Sequence, residues 1–147
     1  MKKFVLTFLM IISAVIVANA QNSDWDQAAE QFVNGFGEES QQITDIFRQM
    51  GINATMTADY DARSKEIVME VMFEPQIWNI LNTEAMKAGK AENLRSYQES
   101  YKTDPDFRNF IDKMHRANAT FRVKYSCLQG GTVKSKDFTI TPKEIMK

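Results

Sequence analysis

Residues 53–60 read NATMTADY and residues 118–125 read NATFRVKY. Both open on Asn-Ala-Thr and close on Tyr, and both alternate. In the first, Ala54, Met56, Ala58 and Tyr60 share one phase and Thr55, Thr57 and Asp59 the other. In the second, Phe121, Val123, Tyr125 and Cys127 stand opposite Thr120, Arg122, Lys124 and Ser126. A period of two with β-branched and aromatic residues predicts half-buried strands, each with one solvated face.

Each stretch runs into a turn and a returning strand. The first turn lies at Asp61-Ala62-Arg63-Ser64; the second holds Gly130-Gly131, a pair suited to the positive φ of a tight hairpin. Residues 67–73 (IVMEVMF) then end at Glu74-Pro75, and residues 133–140 (VKSKDFTI) at Thr141-Pro142. Proline cannot extend a ladder, so it stops both strands. Strict alternation sets Lys134 and Lys136 on the face of Phe138 and Ile140. Either these lysines lie beyond the sheet edge near the hairpin tip, or a bulge shifts the phase.

Helical sequence precedes each hairpin. Trp25, Ala28, Ala29, Phe32 and Phe36 recur at helical spacing, and Ile43, Ile46, Phe47 and Met50 resume the stripe beyond Gly35 and Gly37. Ser23-x-x-Asp26 reads as a capping box and Gly51 as a C-terminal stop. The pattern predicts two short helices or one kinked helix over residues 24–50. Residues 76–90, carrying Ile77, Trp78, Ile80 and Leu81, predict a connecting helix. Leu94, Tyr97 and Tyr101 form a further stripe, and Asp104-Pro105 opens a helix carrying Phe107, Phe110, Ile111 and Met114. The expected fold is α+β: two tandem α-β-β units, about 24–75 and 92–142, forming a four-stranded antiparallel sheet with helices on one face.

Residues 1–20, MKKFVLTFLMIISAVIVANA, read as a secretory leader of bacterial style. Lys2 and Lys3 supply the positive start, residues 4–17 an apolar run, and Ala18-Asn19-Ala20 the small-residue cleavage site. The apolar run is short against the roughly 20 residues that a bilayer span needs. Cleavage after Ala20 predicts a periplasmic or secreted chain, residues 21–147, folded as one domain with no membrane span. The single cysteine, Cys127, leaves no intrachain disulfide. Loss of Lys2 and Lys3 leaves 16 bases against 19 acids, and a net charge of −3 argues against nucleic-acid binding.

The charges are unevenly spread. Residues 21–74 hold eleven acids and three bases, residues 108–147 nine bases and three acids. The halves are then either mutually complementary or present a polarised binding surface.

Chemistry-bearing motifs are sparse. One His and one Cys restrict any metal site to oxygen ligands. Neither GFG at 35–37 nor QGG at 129–131 forms a nucleotide-binding glycine loop, so no cofactor is expected. Cys127 falls on the apolar phase of its strand, which predicts a packing thiol. His115 falls in the last turn of a helix, where it favours the helix dipole.

In element order the chain resembles small exported bacterial domains of unknown function, most of all in the closing stretch KYSCLQGGTVKSKDFTITPKEI (124–145). The tandem helix–hairpin order is also similar to β-lactamase inhibitor proteins and to small envelope-assembly lipoproteins, although no lipid-anchor cysteine follows Ala20. The resemblance implies a fold and carries over no functional residues. The expected function is a non-catalytic binding module of the cell envelope. Arg122, Lys124, Lys134 and Lys136 are the candidate binding residues, and an unidentified protein or an anionic glycan the expected partner. The alternative is a small hydrolase-type enzyme using carboxylates or a Cys127–His115 pair.

Overall fold

The computed structural model describes residues 24–147. The leader read in residues 1–20 lies outside the described residues, as does the Ser23 proposed as a cap. The chain starts with α1 (Trp25–Gln49), followed by the hairpin β1 (Ala54–Asp61) and β2 (Glu66–Phe73). Three helices follow: α2 (Pro75–Trp78), α3 (Thr83–Thr103) and α4 (Pro105–Arg116). The second hairpin, β3 (Thr120–Gln129) and β4 (Thr132–Ile140), leads into a last turn, α5 (Pro142–Ile145). The architecture is α+β.

α1 is one continuous helix. Asp24 caps it by accepting from the Gln27 N–H at 2.9 Å, and Gly51, at φ +76°, ends it. Gly35 and Gly37 do not break it, because the apolar face runs through them: Ala28, Ala29, Phe32, Phe36, Ile43 and Phe47 are all buried. Helical stability in a protein comes chiefly from such a packed face. Ile46 and Met50, assigned by spacing to the same stripe, are instead 51% and 44% exposed. The connecting helix read over 76–90 is likewise two elements. Pro75 begins a single turn, and Asn82 then caps α3 by accepting from the Ala85 N–H at 2.8 Å. Asp104 accepts from the N–H groups of Asp106 and Phe107 at 2.9 and 3.2 Å, with Pro105 as the first helical residue of α4.

The four strands form one sheet in the order β1-β2-β3-β4. Both hairpins are antiparallel, but the central pair β2–β3 is parallel, from Glu66↔Thr120 to Phe73↔Cys127. This corrects the all-antiparallel expectation. The cause is the crossover: 21 residues of α3 span about 30 Å at a rise of 1.5 Å per residue, the length of the sheet. The chain is thus carried back to the end where β2 began, and a strand starting there runs parallel to β2.

One face of the sheet is covered by helices. Ile67, Met69, Val71 and Phe73 of β2 meet Phe121, Val123, Tyr125 and Cys127 of β3 beneath them, every one buried. Trp25, Phe32, Phe110 and Phe121 pack with neighbouring ring centroids 5.3–6.2 Å apart, tying α1 and α4 to β3. Tyr97 on α3 adds a contact to Phe121 at 5.6 Å. Aromatic clusters of this kind combine large apolar burial with favourable ring geometry.

Candidate functional site

The other face of the sheet is open, and register fixes what it displays. Asp59, Val68, Arg122 and Thr139 form one row, and Thr57, Glu70, Lys124 and Asp137 the next. Thr55, Met72, Ser126 and Ser135 follow, and Leu128 faces Val133 beyond the end of β2. The face therefore changes character along the strands, from charged through small and polar to apolar.

Arg122 and Lys124 do project from this face, but not as a free cationic strip. Arg122 lies 3.2 Å from Glu66 and 3.9 Å from Asp137, and Lys124 lies 2.9 Å from Glu70. The Ser126 hydroxyl donates to Glu70 at 3.1 Å. The carboxylates come from β2 and β4 on either side of β3. Cross-strand pairs of this kind each contribute a fraction of a kcal/mol, up to about 1, and they cancel the local field. The uneven charge of the two halves is here complementary across the β2–β3 seam.

Lys134 and Lys136 lie on the other side of the sheet. The β3–β4 register is unbroken, so no bulge shifts their phase. They continue the face of Phe138 and Ile140 on the outer strand toward the hairpin tip, where both are exposed. Lys136 donates to the Leu81 carbonyl oxygen and sits over the Trp78 ring, 4.9 Å from its centroid. The four candidate cations thus form two separate pairs on opposite faces.

The second hairpin stands clear of the helices at its tip. Every residue from Gly130 to Asp137 is exposed, and Leu128 and Val133 are 57% and 56% exposed. Sequence reading passed over this apolar pair, although alternation sets both residues on the polar phase. That misfit was the available signal. At the same end of the sheet, on the β1 side, Thr44, Arg48, Ile52, Asn53, Thr55 and Glu74 help to line a cleft of about 270 Å³. Its polar groups are mutually engaged, Asn53 donating to Glu74 at 2.6 Å and Arg48 held by Asp45 at 3.0 Å.

The Cys127–His115 pair is not assembled. Cys127 is fully buried near the far end of β3, whereas His115 lies on α4, just before that strand begins. Cys127 lies six residue steps along the strand from Phe121, roughly 20 Å at about 3.3 Å per residue. A buried thiol without a nearby base is a packing group. Among the described residues, no group of three or more His, Cys, Asp or Glu side chains is placed to hold a metal ion, and no helix is long and apolar enough to cross a membrane.

No family model matches the chain, and neither a curated protein nor a solved structure does so.

Proposed function

We propose that this chain is an exported, non-catalytic binding module of the bacterial cell envelope that docks a protein partner on its second hairpin. The observation that carries the reading is the exposed tip, where Leu128 and Val133 stand side by side with more than half their surface in water. Exposed apolar residues flanked by a polar one on the same face, here Ser135, suit the core of an interface. A protein partner suits this surface better than an anionic glycan, because Glu66, Glu70 and Asp137 already neutralise Arg122 and Lys124.

The same reading treats the fold as two α-β-β units set side by side. Each returning strand runs into a single helical turn whose first residue is proline, Pro75 in one unit and Pro142 in the other. That shared ending supports a duplicated unit.

The test is site-specific photo-crosslinking. The chain is recovered from the envelope with Gln21 as its N-terminus by mass spectrometry, carrying a photoreactive residue at Val133 or, as a control, at Glu84. A discrete adduct from Val133 is expected, competed by unlabelled protein, lost in Leu128→Asp and missing from Glu84. Equal adducts from both positions, or none from Val133, overturn hairpin docking. An intact Met1 overturns export.

A further inference from the structure

We propose that the outer edge of β4 accepts an extended acidic segment of the partner as a fifth strand of the sheet, an inference that rests on the binding-module reading. The sheet ends at β4, a strand of nine residues with neither a bulge nor a proline. Its turn is the two-residue loop Gly130-Gly131, with φ of +60° and +78°. Such a loop makes its flanking pair, Gln129 and Thr132, a hydrogen-bonded pair. Bonded and non-bonded pairs then alternate along an antiparallel ladder. Lys134, Lys136 and Phe138 therefore direct their backbone groups to β3. Val133, Ser135, Asp137 and Thr139 direct theirs outward, and all four are exposed. An edge of this kind is a template for another strand.

Charge decides which strand. Lys134 and Lys136 occupy one face of this edge and Val133 the other. A second copy pairing antiparallel about residue 135 would set each Lys134 against the Lys136 of its mate. Like charges directly opposite each other disfavour that assembly. A segment alternating acidic and apolar residues meets both faces: its carboxylates lie beside Lys134, the Lys136 ammonium being held by the Leu81 carbonyl and the Trp78 ring, and its apolar side chains beside Val133. Lys134 has no carboxylate within ion-pair distance among the described residues, so its charge is available. Lys134, which helps to guard the edge against self-pairing, thereby also selects the partner.

The probes are two fluorescent peptides, one alternating Glu with Val and one alternating Lys with Val, titrated by anisotropy against the mature chain. The Glu peptide is expected to bind and the Lys peptide not, with affinity falling as salt rises. Ser135→Pro removes an outward N–H and no bond to β3, and should weaken the Glu peptide about tenfold. Lys134→Glu, a surface change that leaves the ladder intact, should reverse the preference between the peptides. Equal binding of both peptides, binding of neither, or a Ser135→Pro variant as tight as wild type overturns the inference. If the Val133 adduct persists in that case, hairpin docking stands without strand addition. Loss of the adduct removes both.

Discussion

Glu39 and Glu144 are two carboxylates pulled in opposite directions. On α1, burial raises Glu39 above its ordinary value of 4.5, and its Oε2 is buried with no hydrogen-bond partner. Glu144 is partly buried too, which alone would raise it. The Thr141 N–H and hydroxyl and the Lys90 ammonium, 3.0 Å away, hold it below 4.5 instead. A raised carboxyl costs stability while ionised, and that cost disappears as pH falls through its folded-state pKa. A depressed one contributes above the unfolded value, and the contribution is lost as pH falls through the folded-state pKa. Glu39→Gln should therefore raise Tm at neutral pH by about 1–2 °C, the gain vanishing in acid below the ordinary glutamate range. Glu144→Gln should lower Tm at neutral pH, with a deficit that persists down to the ordinary glutamate value and shrinks below it, as pH falls through the depressed folded-state pKa. Thermal melts from pH 3 to 7 check both, and parallel shifts at every pH would contradict the assignment. The capping box behind Glu144 has a local signature, Thr141-x-x-Glu144, which the reading of Thr141-Pro142 as a strand end passed over. The burial of Glu39 has none, since it depends on how α1 packs.

Among elements, the two hairpin turns meet the same backbone demand with different residues. Gly131 takes φ +78° freely, whereas Lys65 takes φ +54° against its own Cβ. A side chain added at Gly131 meets nothing within 4 Å, so the backbone alone sets its cost. Gly131→Ala should destabilise by about 1 kcal/mol, and Lys65→Gly should be stabilising by a comparable or smaller amount. The exposed Lys65–Asp26 pair, at 4.0 Å, offsets little of that. Urea midpoints measure both, and a stabilising Gly131→Ala would contradict the turn geometry. Strand faces and turns were readable because period two and Gly-Gly are local signals. The parallel β2–β3 pair was not, because strand direction follows from the span of α3 rather than from either strand. Whether α1 was one helix or two was left open for a related reason: Phe32, Phe36 and Ile43 outweigh two glycines only once the core exists.

Across the whole molecule, charge and exposure divide the sheet. The acidic first half and basic second half meet at the β2–β3 seam, where Glu66 and Glu70 face Arg122 and Lys124. The basic strip expected from sequence is spent there, since a cation's neighbours across a sheet are known only once register is. What remains for a partner is the projecting second hairpin, with an apolar tip and an outer edge of unpaired backbone groups. Residue-resolved amide exchange of the free chain tests that edge most directly. The account predicts alternation along β4: slow exchange at Lys134, Lys136 and Phe138, and rapid exchange at Val133, Ser135, Asp137 and Thr139. Uniform protection along β4 would mean that the edge is already covered, and uniform exchange that the strand is not held; either result would contradict the account.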